Sequence, residues 1–349
     1  MFLNETPVRT SKNYGINNME LKEIELPKHI EEFNSLSITG DTANFEISNN
    51  AREEQLAYGN GKELEDLCNT NSNRNLNIEE KKSGTLNLEF NLNEEDVNLI
   101  ENIEIELNTK SKTTIVIKYT SSEELCYFHN GIIRVNAKKD SKTDIVIVNM
   151  LNNKSNNFLS IETTLEENAI ANFCIVDFGG KTSLTNWYSN VKGNGSKANI
   201  NTIYLGTENQ VFDLNYISEL FGEKTETNIE VQGALNGDSK KNFKGTIDFK
   251  HGCKKAKGYE NEFCMLLSDK AKSKALPMLL CTEEDVEGNH STACGKVDNQ
   301  QLFYIMSRGL SYNDAMKLIV KAKFNKIIET IKDEELKEDI SNEIDRRLN

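Results

Sequence analysis

Five short motifs recur at nearly constant intervals along the middle of this chain. Thr113-Thr-Ile115, Thr143-Asp-Ile145, Ala171-Asn-Phe173, Ala198-Asn-Ile200 and Thr227-Asn-Ile229 are spaced by 30, 28, 27 and 29 residues. Each is a small residue, then a polar one, then a large apolar one. A second apolar segment follows each motif: Ile132–Val135, Leu159–Ile161, Trp187-Tyr188, Phe212–Tyr216 and Thr246–Phe249. Glycines such as Gly179, Gly193, Gly206 and Gly222 fall near the expected bends. A unit of two strands and two turns cannot bury its apolar side alone, but a stack of such units can, with backbone hydrogen bonds running from coil to coil. The period therefore predicts a mainly β protein built as a parallel β-helix of coils about 28 residues long. A β-sandwich also repeats strands at short intervals, but five anchors in one phase are hard to obtain from a Greek key.

The flanks differ in texture. Residues 1–84 are charged and Asn-rich, with helical patterns at Ala51–Tyr58 and Lys62–Cys68, and Asn69–Lys82 reads as a linker or loop. Strand-like alternation starts near 85, and residues 85–275 are expected to form the β-helix core. Residues 276–349 read as helical. Asp298-Asn-Gln-Gln301 and Ser311-Tyr-Asn-Asp314 resemble helix caps, and Gly309 is placed to stop the first helix. Ala315, Leu318, Ile319, Ala322, Ile327, Ile328 and Ile331 follow at helical spacing, and a charged helix runs from about Asp333 to Leu348.

Composition narrows the partners. A net charge of −14 disfavours a nucleic-acid binder. No apolar run is long enough for a membrane span, and the polar start MFLNETPVRTSKNYG lacks a signal core. A cytoplasmic location with seven reduced cysteines is expected, because their number is odd and their spacing irregular. No phosphate-binding loop exists: Gly222-Glu-Lys-Thr225 and Gly193-Asn-Gly-Ser-Lys197 lack the required order and read as turns. The chain is not expected to be an enzyme. Glu283-Glu-Asp285 reads as a solvated acidic loop.

The residues from Met265 to Leu310 carry a longer signal. Met265-Leu-Leu-Ser-Asp-Lys-Ala271 leads to Glu284-Asp-Val-Glu-Gly-Asn-His290, then Ser291-Thr-Ala-Cys-Gly-Lys-Val-Asp298 and Gln301-Leu-Phe-Tyr-Ile-Met-Ser-Arg-Gly-Leu310. This run resembles the C-terminal signature of the SufB/SufD family of iron–sulfur cluster assembly proteins, and its His290-Ser-Thr-Ala favours the SufD side. The family's Lys-Cys-Ser-His is here Glu287-Gly-Asn-His290, so Gly288 stands at its cysteine, and Cys294 lies four residues after the histidine. The resemblance implies a right-handed parallel β-helix between N-terminal and C-terminal helical regions. It implies a scaffold subunit that works with a SufC-like ABC-type ATPase and with a SufB-like paralogue or a second copy of itself. No cofactor is expected to be bound firmly; a transient iron–sulfur cluster or iron at a subunit interface is the implied cargo.

His290 matches a family histidine at the subunit interface, which makes it a candidate iron or cluster ligand. From its neighbours alone it reads as a loop residue that could equally cap a helix or bond a backbone carbonyl. Cys294, polar-flanked, is the second candidate. Cys253, Cys264 and Cys281 have no C-x-x-C spacing and read as buried small hydrophobes, as does Cys174. The implied ATPase-docking candidates are Phe303, Ser307, Arg308, Gly309, Leu310, Ala315, Leu318 and Ile319, although this stripe could simply pack on the solenoid. Two other classes stay open: a structural solenoid, and a carbohydrate-acting β-helix enzyme. The enzyme would need carboxylates or basic residues recurring on one face, and the repeat positions carry Thr, Asn and Ile instead.

Overall fold

The computed structural model describes all residues except 11–13, 22–23, 51–53, 109, 111 and 124. Strands β1 (Phe2–Leu3) and β2 (Met19–Glu20) form a small antiparallel pair. Strands β3 (Leu36–Gly40) and β4 (Phe45–Ser48) precede helix α1 (Lys62–Asn71). Eight coils follow, each with one strand in each of two sheets. The first sheet receives β5 (Arg74–Glu80), β7 (Asn98–Leu107), β9 (Phe128–Ala137), β11 (Asn156–Leu165), β13 (Thr182–Val191), β15 (Val211–Leu220), β17 (Lys240–Phe249) and β19 (Lys272–Cys281). The second receives β6 (Thr85–Leu92), β8 (Lys112–Ser121), β10 (Lys142–Met150), β12 (Ile170–Asp177), β14 (Lys197–Gly206), β16 (Glu226–Leu235), β18 (Ala256–Leu266) and β20 (Val286–Lys296). All neighbours among these sixteen strands are parallel. At the start of the stack β4 and β3 add antiparallel strands to β5 and β6. The chain ends in α2 (Asn299–Ser307), α3 (Tyr312–Ile328) and α4 (Glu334–Arg347).

The repeat phase is the sheet register. Thr113 pairs with Thr143, Thr143 with Ala171, Ala171 with Ala198, and Ala198 with Thr227. The third motif position, Ile115, Ile145, Phe173, Ile200 and Ile229, points inward and joins one continuous core. The second points outward, where amides bond in series: Asn172 Nδ2 donates to Asp144 (3.0 Å), Asn199 to Asn172 (2.9 Å) and Asn228 to Asn199 (2.8 Å). Such a ladder satisfies polar groups and fixes the register.

Both outer faces are covered. The helices lie on the β8–β18 sheet, where Val146, Val176, Ile203, Leu205 and Ala234 meet Ala315, Ile319, Phe324 and Ile340. Cys174 belongs to this outer layer rather than to the solenoid interior. The N-terminal layer covers the other sheet through Leu3, Leu56, Leu64 and Cys68 against Ile100, Ile132, Phe158 and Leu184. Asn4 is buried across three coils: it donates to Asp213, accepts from Asn186, and its carbonyl receives Lys244, which also pairs with Asp213.

Several boundaries differ from the sequence reading. Glu54–Tyr58 is not helical, and the rest of that pattern lies outside the described residues. The stretch read as a linker contains β5, whose Leu76 and Ile78 alternate inward. The solenoid continues past 275 to Lys296, because two further strands extend the same registers.

One buried acid gives a pH prediction. Asp177 is inward-facing and accepts from Ser183 and Asn149, at 2.8 Å from each. Burial outweighs those bonds and pushes its carboxyl up to about 7. A raised carboxyl pKa gives stability that is complete below the unfolded value and is lost as pH rises through 7. Relative to Asp177→Asn, the native chain should therefore lose about 3 kcal/mol between pH 5 and pH 8. Urea titrations of both proteins at the two pH values measure this, and parallel pH profiles would contradict it.

Candidate functional site

The inward columns change character at the last two coils. Ile229 pairs in register with Glu260, and Glu260 with His290. The motif of small, polar and large residues thus continues as Gly258-Tyr-Glu260 and Gly288-Asn-His290, with ionisable groups at the core position. Two residues on, Val231 is followed by Glu262 and Thr292; four on, Gly233 is followed by Cys264 and Cys294. A side chain added at Gly288 would meet Phe249 and Leu279, so this parity of β20 faces the interior. Yet His290, Thr292 and Cys294 are exposed, because β19 and β20 are the sheet edges and no described residue covers that end. The residues around His290 predict a loop, but it lies within β20. Its polar neighbours reflect an uncovered strand rather than a turn.

Beneath this row the polar groups are buried. Lys241 is 1% exposed and donates to Glu262 at 2.7 Å and to the Lys274 carbonyl at 3.1 Å. Tyr204 donates to the same Glu262 oxygen at 3.2 Å. The missing side chain at Gly233 permits this, since a Cβ there would lie 1.8 Å from Tyr204 Cζ. Burial raises the Cys264 thiol to about 11, with Lys241 opposing. Glu260 differs: it is fully buried and neither carboxyl oxygen has a hydrogen-bond partner. Burial, then the neighbouring Glu262, pushes its carboxyl up to about 8.

His290 and Cys294 share a face but not a point. Four strand residues separate them by roughly 13 Å, which is too far for both to ligate one small ion. Each instead has an inward partner one strand below, Glu260 for His290 and Cys264 for Cys294. Among the described residues no three His, Cys, Asp or Glu side chains are grouped to hold a metal. Cys281 is exposed at the end of β19, and Cys253 is buried, its thiol raised to about 11 by burial. Glu283 accepts the Gly252 N–H at 2.9 Å, which gives the acidic loop a part in turn stacking.

The second surface is the α2–α3 elbow. The Asp298 side chain caps α2 at the Gln300 N–H, Ser311 caps α3 at the Asp314 N–H, and Gly309 turns the chain at φ +100°. Phe303 (74%), Tyr304 (58%), Tyr312 (51%) and Leu318 (48%) are exposed, a concentration of large apolar side chains unusual for a free surface. Arg308 lies over the Tyr304 ring at 5.1 Å. Ser307 and Gly309 are exposed, and Leu310 is half-buried. Of the other docking candidates, Ala315 and Ile319 are buried on the α3 stripe against the solenoid and are not part of this exposed surface. No described helix is long and apolar enough to cross a membrane.

Sequence reasoning missed Glu260 and Lys241. The signal for Glu260 was present, since the repeat phase carried one and two coils further reaches it and His290. Lys241 had none, because only the folded coil brings it to Glu262.

Comparison with known proteins adds to this geometry. Residues 90–323 match the family described as SUF system FeS cluster assembly, SufBD core domain. The iron–sulfur cluster assembly protein SufD of Bacillus subtilis is 28% identical over 160 residues, which cover 46% of this chain and 37% of that protein. SufD of Escherichia coli is 22% identical over 244 residues, covering 70% and 58%. An iron–sulfur cluster assembly SufBD family protein of Pyrococcus horikoshii is 34% identical over 142 residues, covering 41% and 31%. In each case the match spans less than two thirds of the relative's own length.

Proposed function

The chain belongs to the SUF-system SufBD core family, and from that premise we propose that it is a scaffold subunit, most like SufD, of an iron–sulfur cluster assembly complex. It works with an ABC-type ATPase and with a SufB-like paralogue or a second copy of itself. The observation that carries the reading is the uncovered end of the stack, where the apolar core column gives way to Glu260 and His290. An end that presents edge strands and ionisable side chains together suits a second solenoid on which cargo is held between chains. His290 contacts iron or a nascent cluster there, and Cys294, too far along the strand to share one ion with it, offers a separate thiol on the same face. The elbow bearing Phe303, Ser307, Arg308, Gly309 and Leu318 receives the ATPase, since this chain carries no phosphate-binding loop. Its work is to position and carry, not to catalyse, in the cytoplasm.

The test is His290→Ala in cells that depend on this chain. Its side chain is exposed, so folding should be unchanged within about 0.5 kcal/mol. Maturation of iron–sulfur enzymes should fall several-fold. Normal maturation with normal protein levels would remove His290 from the site. Native mass spectrometry of the complex from its own cells reads subunits and bound metal, and recovery of the chain with no P-loop ATPase would count against the scaffold reading.

A further inference from the structure

We infer that Glu260 and His290 form one cation site at the uncovered end of the solenoid, with Glu260 as its floor and a divalent first-row metal ion as its ligand. Ferrous iron is the ion that the proposed function calls for, so the assignment deepens that reading and rests on it for the identity of the metal.

The first ground is an orphaned carboxyl. A buried carboxylate without a hydrogen bond is strongly unfavourable, and each such group asks for an explanation. The nearby donors do not relieve Glu260: Tyr204 and Lys241 both bond Glu262 instead. The second ground is room made for it. Gly245 of β17 stands across the interior, and a Cβ there would come within 2.3 Å of the Glu260 carboxyl carbon. The third is register. Glu260 and His290 are directly paired on parallel strands, about 4.8 Å apart, with side chains on the same face, so both can approach a single ion. Only the last coil stands between the carboxyl and solvent.

The donors set the class of ligand. One carboxylate and one imidazole suit iron, zinc or manganese. Cys294, too far along the strand, is not part of this set. Two donors leave coordination positions for water, for incoming sulfide or for a partner chain, consistent with the lack of any third ligand in the described residues. Binding to this chain alone should accordingly be weak and exchangeable, as a cargo site requires.

The experiment is an anaerobic titration of the full chain with Co²⁺, a spectroscopic stand-in for Fe²⁺, repeated with Glu260→Gln and His290→Ala. Each substitution should weaken Co²⁺ binding at least tenfold. Thermal melting of Glu260→Gln should stay close to that of the native chain, since the amide keeps the size and shape of the side chain. A Glu260→Gln chain that binds Co²⁺ as tightly as native, with only its melting altered, would make Glu260 a structural acid and overturn the proposal. So would a native chain that binds no better than the two variants. Cell-based maturation with His290→Ala reads the assembly role separately, so a failed cobalt titration beside impaired maturation would reject the two-residue site and leave the scaffold function standing.

Discussion

Trp187→Ala should lower stability by about 4 kcal/mol, the range for removing a large buried aromatic. Trp187 is wholly buried at the centre of the stack. Its ring meets Phe173 at 5.8 Å and Tyr216 at 6.2 Å, both edge-on, and Tyr216 meets Phe243 at 5.9 Å. These contacts link β12, β13, β15 and β17, so alanine leaves a cavity bordered by several coils. In a solenoid each coil is held chiefly by its neighbours, which directs the loss to that part of the stack. The midpoint by circular dichroism should fall by roughly 5 °C for a chain of this size. A loss below about 1 kcal/mol would mean that the interior aromatic column is not a main source of stability. Trp187→Phe, which keeps a ring in the same place, should recover most of the difference.

The second large effect concerns association. Phe303 and Leu318 are exposed and contribute little to the fold, so Phe303→Asp with Leu318→Asp should leave melting nearly unchanged. If the elbow receives the ATPase, two aspartates within a buried apolar contact should cost more than about 2 kcal/mol, at least ~30-fold in affinity. Surface plasmon resonance with the ATPase from the same cells measures this. Undiminished binding would move the docking face elsewhere. Ala315→Asp is not a substitute, since Ala315 is buried against the solenoid and its loss would report unfolding.

What the sequence disclosed followed from periodicity. The five motifs fell into register because a parallel stack repeats its side-chain columns at the coil length, and Thr113, Thr143, Ala171, Ala198 and Thr227 mark that length directly. The caps at Asp298 and Ser311 were legible because they act through residues two or three positions away. His290 was misplaced because Gly, Asn, Ser and Thr around it have turn composition, and local propensity cannot register that a strand is polar for want of a neighbour. The stretch around Arg74–Glu80 was hidden by its asparagines, although Leu76 and Ile78 alternate as a strand should. Contacts such as Asn4 with Asp213 were beyond any local rule, since nothing near Asn4 announces partners some two hundred residues away. The helix stripe was seen, but Leu318 was placed on it with Ala315 and Ile319, and the structure turns Leu318 outward.

That reach of Asn4 bears on when the molecule becomes complete. The coils pair with neighbours about 28 residues distant and can assemble in order as the chain emerges. Asn4 cannot, because Lys244, which donates to its carbonyl, lies 240 residues later. At ordinary rates of synthesis that interval is roughly 10 to 50 s. Asp213 is itself made 209 residues after Asn4, and a further 31 must follow before the Lys244 ammonium can join the pair. Asn4 is thus made long before its partners in β15 and β17, and a nascent chain halted before Lys244 should keep its N-terminal layer open to protease while its earlier coils are already closed.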